Sequence, residues 1–348
     1  MARVAVVLFN LGGPDSLDAV RPFLFNLFHD PAILSVPQPF RRALAWFIAR
    51  RRAPVAREIY RHMGGRSPLL AYTRDQASAL QARLRQTLSG EAEVFIAMRY
   101  WHPMSEQTAR EVQAFDPDEI VLLSLYPQYS TTTTGSSLKE WARAAERVRL
   151  TARTRAICCA PTHAGWIDAI ADLLRHHMAH IPSGMPIRVL FSAHGLPKRV
   201  ISRGDPYQWQ VEQTVDAVLN HFDPASIHSV ICYQSRVGPL EWIGPPTEEE
   251  IKRAAGDRVA VVVVPIAFVS EHSETLVELD VEYRELAERH GVPAYVRVPA
   301  VAAHPQFIDG LAEQVIKALG QAQKIQAGSV DWVCSEKYSQ CPCLAAGQ

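Results

Sequence analysis

The chain has 348 residues, of which 48% are hydrophobic, and its 36 Lys and Arg residues balance its 36 Asp and Glu residues. This length allows two domains of ordinary size or one large one, and zero net charge argues against a general attraction to nucleic acid. The longest apolar run, residues 259–269, is shorter than the about 20 residues of a transmembrane helix. With a strand and turn at the N-terminus where a secretion signal would stand, we expect a cytoplasmic protein.

The first half of the chain predicts strands that alternate with helices, beginning with a strand at residues 3–10. Strands at residues 93–98 and 119–125 both end in aromatic and polar residues. The hydroxyl-rich residues 131–137 then open a helix at residues 138–148. Helix capping explains one or two of these hydroxyls, and we interpret the others as contacts to an anion or a carboxylate at the helix N-terminus.

Residues 31–52 interleave apolar and aromatic side chains with prolines and arginines. This combination suits a membrane interface or a flat, apolar ligand with anionic groups. An amphipathic helix that packs on its own domain is the alternative.

In the second half, two buried strands end in ionisable residues. One ends at His194, and the other, residues 259–269, is followed by Glu271, Glu274, Glu278 and Glu282, which share one face of a predicted helix. Ligands of parallel sheets gather beyond the carboxyl ends of the strands, which favours a site here. A histidine that caps its strand and a solvated row of glutamates are the simpler alternatives.

We therefore predict an α/β fold with two similar Rossmann-like domains, each a parallel sheet flanked by helices, and a cleft between them. The predicted divisions are residues 1–150, residues 151–303 with His194 and Glu274, a closing helix in residues 304–326 that packs back on the first domain, and a cysteine-rich tail in residues 327–348.

The six cysteines predict a metal or redox role, because the cytosol keeps thiols reduced. Cys158 and Cys159 are adjacent, and three more cysteines stand in the tail at positions 334, 341 and 343. Cys232 is interpreted as a core residue.

A histidine opposite carboxylates, in a cleft with aromatic residues and Arg99, suits a divalent cation that meets a porphyrin. Eight short motifs in chain order resemble the ferrochelatase family. They are residues 9–14 (FNLGGP), 126–130 (YPQYS), 133–137 (TTGSS), 191–197 (FSAHGLP), 204–207 (GDPY), 265–268 (PIAF), 274–276 (ETL) and 278–280 (ELD).

The resemblance implies insertion of Fe2+ into protoporphyrin IX, with His194 and Glu274 facing the metal. An imidazole and a carboxylate can take the pyrrole protons and hold iron weakly enough to release it. Which of the two takes protons is left open, and Glu278 continues the row as a path for protons or metal. Five further residues match pocket positions that contact the macrocycle and its propionates: Leu11 (methionine in other members), Arg99, Tyr100, Ser130 and Trp242.

Cofactor and partners also follow from the resemblance. Members with such a tail are expected to hold a [2Fe-2S] cluster, here on Cys158, Cys334, Cys341 and Cys343, although the tail spacing departs from the animal C-x2-C-x4-C pattern. Cys159 could replace Cys158, and the alternatives are zinc or no cluster. Residues 31–52 match the lip over the porphyrin pocket, which implies a peripheral membrane contact. No protein partner is predicted.

Three rival functions are weighed against this one. A coproporphyrin III ferrochelatase differs only at the macrocycle edge. A non-catalytic haem or porphyrin carrier needs the pocket without the base. A sirohydrochlorin cobalt chelatase is expected to be shorter and richer in histidine.

Overall fold

The computed structural model describes residues 2–224, 227–236, 238, 240–329 and 334–345, and in them the chain forms two parallel sheets. The first sheet has the order β2-β1-β3-β4-β9. Its strands are β1 (Arg3–Asn10), β2 (Glu91–Met98), β3 (Glu119–Ser124), β4 (Arg153–Ile157) and β9 (Ile325–Gln326). Each pair of neighbours runs parallel.

The second sheet has the order β6-β5-β7-β8, again with every pair parallel. Its strands are β5 (Ile187–His194), β6 (His228–Gln234), β7 (Ala260–Pro265) and β8 (Tyr295–Arg297). All six residues of β7 are buried, because helices cover both faces of such a sheet and its central strands are therefore apolar along their length. The predicted α/β fold with two parallel sheets is confirmed.

Helices connect the strands. They are α1 (Val20–His29), α2 (Phe40–His62), α3 (Leu69–Thr87), α4 (Ser105–Phe115), α5 (Thr134–Arg147), α6 (Ala164–Met178), α7 (Lys198–Ile201), α8 (Tyr207–Leu219), α9 (Thr247–Gly256), α10 (Tyr283–His290), α11 (Pro305–Leu319) and α12 (Pro342–Ala345). A π-helix spans Glu274–Glu282 and continues directly into α10.

The position of β4 bears on the predicted boundary at residue 150. Sequence reasoning assigned this strand to the second domain, but β4 pairs with β3 and so belongs to the first sheet. Helix α11 contacts α3 and α6, and β9 after it pairs with β4. The division into domains stays a prediction, and its tail includes residues 330–333 and 346–348, which lie outside the described residues.

One apolar core joins the two sheets. It contains Leu8 of β1 and Val189 of β5, both fully buried. Polar contacts add to it, since the buried Gln76 of α3 donates to the carbonyl oxygens of Val269 and Ala302, at 3.0 Å each. The two halves are therefore tied together beside the carboxyl end of the second sheet.

Candidate functional site

His194 and Glu274 meet at the carboxyl end of the second sheet. His194 is the last residue of β5, and Glu274 is the first residue of the π-helix. Their Nδ1 and Oε2 atoms are 2.8 Å apart, and their side chains are 39% and 24% exposed. Two residues that are 80 positions apart in the sequence thus form one accessible pair at a strand end.

The backbone of His194 is held from two sides. Its carbonyl oxygen accepts a hydrogen bond at 3.1 Å from the hydroxyl of Tyr207, which is the first residue of α8. Next to it, a Cβ atom on Gly195 would come within 2.8 Å of the Gln234 carbonyl oxygen, and Trp242 packs on the same glycine. The glycine therefore allows the close packing that fixes the end of β5.

The pair favours opposite charges. Burial by itself would lower the pKa of His194, but the Glu274 carboxylate and its hydrogen bond raise that pKa above the ordinary value. Burial likewise opposes ionisation of Glu274, yet His194 lowers the pKa of the carboxyl group overall. The site therefore stabilises an imidazolium beside a carboxylate.

We expect the Glu274→Gln substitution to lower the pKa of His194, because the amide carries no charge to stabilise the imidazolium. NMR titration of the imidazole C–H signals measures this pKa. In the wild-type protein, the charged imidazole contributes stability that is fully present below about pH 6.5 and is lost as the pH rises through the raised folded pKa. The stability advantage over Glu274→Gln should therefore shrink in that range. An unchanged His194 pKa would contradict the pairing.

Glu278 follows Glu274 about one turn later in the π-helix and accepts hydrogen bonds from four donors. They are the Gln234 side-chain amide (3.2 Å), the Ser235 backbone N–H (2.8 Å), the Ser235 hydroxyl and the Tyr283 hydroxyl (3.1 Å). Burial, and then the charge of Glu274, raise the pKa of Glu278. Of the two carboxylates, Glu278 is thus the one that binds a proton more readily.

The predicted row of four glutamates needs a correction. Glu271 precedes the π-helix and turns into the protein, where it accepts from Arg297 at 2.8 Å and from the backbone N–H of Ala300 at 3.0 Å. An α-helical spacing was assumed, but the chain forms a π-helix, and the ion pair with Arg297 decides where Glu271 points. The row begins at Glu274.

Asp30 organises the residues that were predicted to contact the macrocycle on the first sheet. Its Oδ2 atom accepts from Arg99 Nη2 (2.8 Å), from the Tyr100 hydroxyl (2.8 Å) and from the Ser136 hydroxyl. Arg99 Nε also donates to Ser136 Oγ at 2.6 Å. Tyr100 is fully buried, and Arg99 is 12% exposed.

Sequence reasoning missed Asp30, although it had a signal. The hydroxyls of residues 131–137 were interpreted as contacts to an anion or a carboxylate, and the carboxylate that Ser136 contacts is Asp30 of the same chain. Its position directly before Pro31, at the end of α1, gave no indication of such a role.

The other predicted pocket residues lie in different settings. Ser130 is completely buried, and its hydroxyl donates to Asp205 at 3.0 Å. Leu11 is half-buried and packs against the cluster of α1 and α2 that includes Tyr100. Trp242 packs on Gly195 beside His194, with a buried indole N–H that has no hydrogen-bond partner.

Helix α2 extends from the predicted lip to the pair formed by His194 and Glu274. The predicted lip, residues 31–52, covers only its first half, and the helix continues to His62. Tyr60, near its end, is hydrogen-bonded to Ser273 and lies close to Glu274. Burial is the main reason that the pKa of Tyr60 rises to about 12. The first half of the chain thus contacts the segment of the second half that holds Glu274.

Five of the six cysteines gather beside α8. The Sγ atoms of Cys158 and Cys343 are 3.0 Å apart, and those of Cys158 and Cys159 are 3.7 Å apart. Cys334 and Cys341 are also buried. The Gln210 amide lies 3.3 Å from Cys334 Sγ, and the thiols of Cys334 and Cys341 are hydrogen-bonded to each other. Within the described ranges, no three His, Cys, Asp or Glu side chains already have the geometry of a metal site.

An open groove of about 1010 Å³ lies elsewhere, along the edge strand β2. None of the predicted site residues lines it, so it has no part in the site described above.

The chain is similar to known proteins along most of its length. The family model described as Ferrochelatase matches residues 3–319. The chain is 54% identical over 344 residues to a protein named Ferrochelatase from Caulobacter vibrioides (strain NA1000 / CB15N), with 98% of this chain and 97% of that protein covered. It is 51% identical over 346 residues to the Ferrochelatase of Phenylobacterium zucineum (strain HLK1), with 99% of each covered.

Among solved structures, SirB from Bacillus subtilis with Fe3+ superposes with a TM-score of 0.54 at 12% identity. It covers 91% of this chain and 96% of that one. This likeness concerns the fold alone.

Proposed function

Since the chain belongs to the ferrochelatase family, we propose that it inserts Fe2+ into protoporphyrin IX to form protohaem, with release of two protons. It is a porphyrin metal chelatase, a lyase of haem biosynthesis. The observation that carries the proposed reaction is the accessible His194–Glu274 pair at 2.8 Å.

The hydrogen bond between His194 and Glu274 supports different roles for the two imidazole nitrogens. When Nδ1–H of the neutral imidazole donates to Glu274, the lone pair lies on Nε2, which can then accept a pyrrole proton. The resulting imidazolium is stabilised by the carboxylate, in line with the raised pKa of His194. His194 is thus the proposed base, and the oxygens of Glu274 are proposed to contact the incoming Fe2+, which such ligands bind without the tight grip of thiolates.

Glu278 is the proposed next acceptor for protons. Burial and the charge of Glu274 raise its pKa and so favour proton uptake, while the hydrogen bonds from Gln234 and Tyr283 hold the carboxyl group in place. Gln234 links the Glu278 carboxylate to the backbone of Glu274, because its amide donates to Glu278 and to the main-chain carbonyl oxygen of Glu274, each at 3.2 Å.

The macrocycle is proposed to lie between this pair and the residues that match the family's pocket. Trp242 and Leu11 offer apolar surfaces, and Arg99 carries the charge that propionates would need. Tyr100 and Ser130 are buried, so we propose that they act indirectly. Tyr100 holds Asp30, the partner of Arg99, and Ser130 holds its own loop through Asp205.

Steady-state metallation with Fe2+ tests the function and its alternatives. The proposal expects a higher kcat/KM for protoporphyrin IX than for coproporphyrin III. The reverse order would indicate the coproporphyrin enzyme, and tight porphyrin binding without turnover would indicate a carrier.

We also propose that Cys158, Cys334, Cys341 and Cys343 hold a [2Fe-2S] cluster. The convergence of thiols from distant parts of the chain supports the fit, because thiolates are the ligands that iron–sulfur clusters use. Such a cluster supplies one-electron redox chemistry, and no step of metal insertion is assigned to it. Cys159 lies 3.7 Å from Cys158 and is the alternative fourth ligand.

Purified protein should be coloured and contain iron and acid-labile sulfide in equal amounts. We expect the Cys334→Ser substitution to remove most of the visible absorption, because it takes away one of four ligands. Cys232→Ser is the matched control, since Cys232 is buried in the second sheet, away from the other five. Zinc in place of iron and sulfide would contradict the proposal.

We propose a peripheral membrane contact through the first half of α2, in a protein that is otherwise cytoplasmic. Phe40, Trp46 and Phe47 are 72%, 47% and 55% exposed, and Arg50 lies over the Trp46 ring at 5.6 Å. Exposed aromatic rings beside arginines suit an anionic membrane surface. Among the described residues, no helix combines the length and apolar character that crossing a membrane requires.

The Phe47→Ser substitution should weaken binding to anionic vesicles about tenfold, because a buried aromatic side chain contributes roughly 1.5 kcal/mol or more. Sedimentation with vesicles of defined phosphatidylserine content measures this. Ile316→Ser changes another exposed apolar residue, on α11, and should leave binding unchanged. Equal effects of both variants would rule out a specific contact of α2.

A further inference from the structure

Gln210 joins the cysteine site to a loop of the first sheet. This side chain of α8 is fully buried. At one end, its Oε1 atom accepts a hydrogen bond from the backbone N–H of Tyr129 at 2.7 Å. At the other end, its Nε2 atom lies 3.3 Å from Cys334 Sγ and 3.6 Å from Cys159 Sγ.

The orientation of this amide follows from chemistry. A backbone N–H only donates, so the atom that faces Tyr129 is the carbonyl oxygen of the side chain. The NH₂ group must then face the sulfur atoms, to which it donates. A hydrogen bond of this kind stabilises a thiolate, whether or not the sulfur is bound to a metal.

The same end of α8 also contacts the tail and the catalytic histidine. Trp209 stacks on Tyr338 of the tail with ring centroids 5.0 Å apart, and the Gln340 N–H donates to the Gly204 carbonyl oxygen just before α8. On the other side, the Tyr207 hydroxyl donates to the His194 carbonyl oxygen. The first turn of α8 therefore lies between the cysteine tail and His194.

We infer that Gln210 is a positioning residue through which the cysteine site holds the first turn of α8, and with it Tyr207 and His194, in place. The catalytic part of this inference rests on the proposed function. The mechanical part, from the thiols through Gln210 to His194, does not depend on turnover or on which metal the thiols bind.

The test uses full-length Gln210→Met, which keeps the length and the approximate volume of the side chain and removes its hydrogen bonds to Tyr129 and to the two thiols. Gln208→Met is the matched control on the same helix, because Gln208 is half-buried and donates to Glu212. Three quantities are measured: the rate at which the cysteines are alkylated, before and after iron chelation, the chemical shifts of the His194 imidazole, and kcat.

We expect Gln210→Met to speed alkylation about tenfold, since loss of these buried hydrogen bonds favours local opening. It should also shift the His194 signals and lower kcat about fivefold, at the lower end of typical coupling between sites. Gln210→Asn, which is one methylene too short to reach both partners, should act in the same direction if Gln210→Met does not fold. Gln208→Met should match the wild type in all three quantities.

Two outcomes would overturn the inference: alkylation at the wild-type rate, or faster alkylation with unmoved His194 signals. Absence of metallation by the wild-type protein would instead refute the proposed function, and alkylation and NMR would still decide the role of Gln210.

Discussion

Replacing His194 with alanine is expected to lower kcat for porphyrin metallation by about 100-fold or more, because general-base catalysis typically contributes 10²–10⁴-fold. The variant should still bind porphyrin, which fluorescence quenching measures, since the apolar surfaces of Trp242 and Leu11 remain. Turnover and binding are thus expected to separate.

His221→Ala provides the control. Its imidazole is also partly exposed and lies 3.4 Å from the carboxylate of Asp168 on α6, but His221 follows the end of α8, away from the strand ends. It should retain wild-type kcat. If His194→Ala also keeps full activity, then the imidazole is not the base, and Glu274 takes the pyrrole protons.

The second large effect is expected from Asp30→Ala. This substitution leaves the buried guanidinium of Arg99 without its carboxylate partner and removes the acceptor for Tyr100 and Ser136. Breaking a buried ion pair by removal of one partner typically costs about 3 to 5 kcal/mol of unfolding free energy. Urea unfolding measures the loss, and a raised KM for porphyrin should accompany it because Arg99 is no longer held.

Glu58→Ala separates this effect from the loss of any surface ion pair. Glu58 pairs with Arg61, and both side chains are more than half exposed, so the cost should be less than about 1 kcal/mol. Similar costs for Glu58→Ala and Asp30→Ala would show that the Asp30 network does not stabilise the fold.

Local patterns were informative where side chains follow the periodicity of one element. The apolar runs of β5 and β7 predicted buried parallel strands, and such strands place their last residues at one edge of the sheet. His194 and Glu274 could therefore be expected in the same region before their contact was seen. The thiols of Cys158 and of the tail were likewise grouped by their chemistry.

Contacts between distant segments could not be predicted in this way. Arg99 and Tyr100 were predicted as pocket residues, and no sequence pattern showed that Asp30, some 70 positions earlier, accepts hydrogen bonds from both. Glu271 was placed in the carboxylate row, but its partner Arg297 stands on β8. In each case a buried charged side chain pairs with the polar group that packing brings near it, because an unpaired buried charge raises the free energy of the folded state.

The amino-acid sequence by itself determined that the protein has two parallel sheets and that a histidine and glutamates follow their strands, since periodicity and strand ends are local properties. Tertiary structure decided which carboxylate lies 2.8 Å from His194 and which one pairs with Arg99. It also placed Gln210 between the thiols and Tyr129. Partners of buried polar groups depend on which segments pack together, and a one-dimensional pattern does not contain that information.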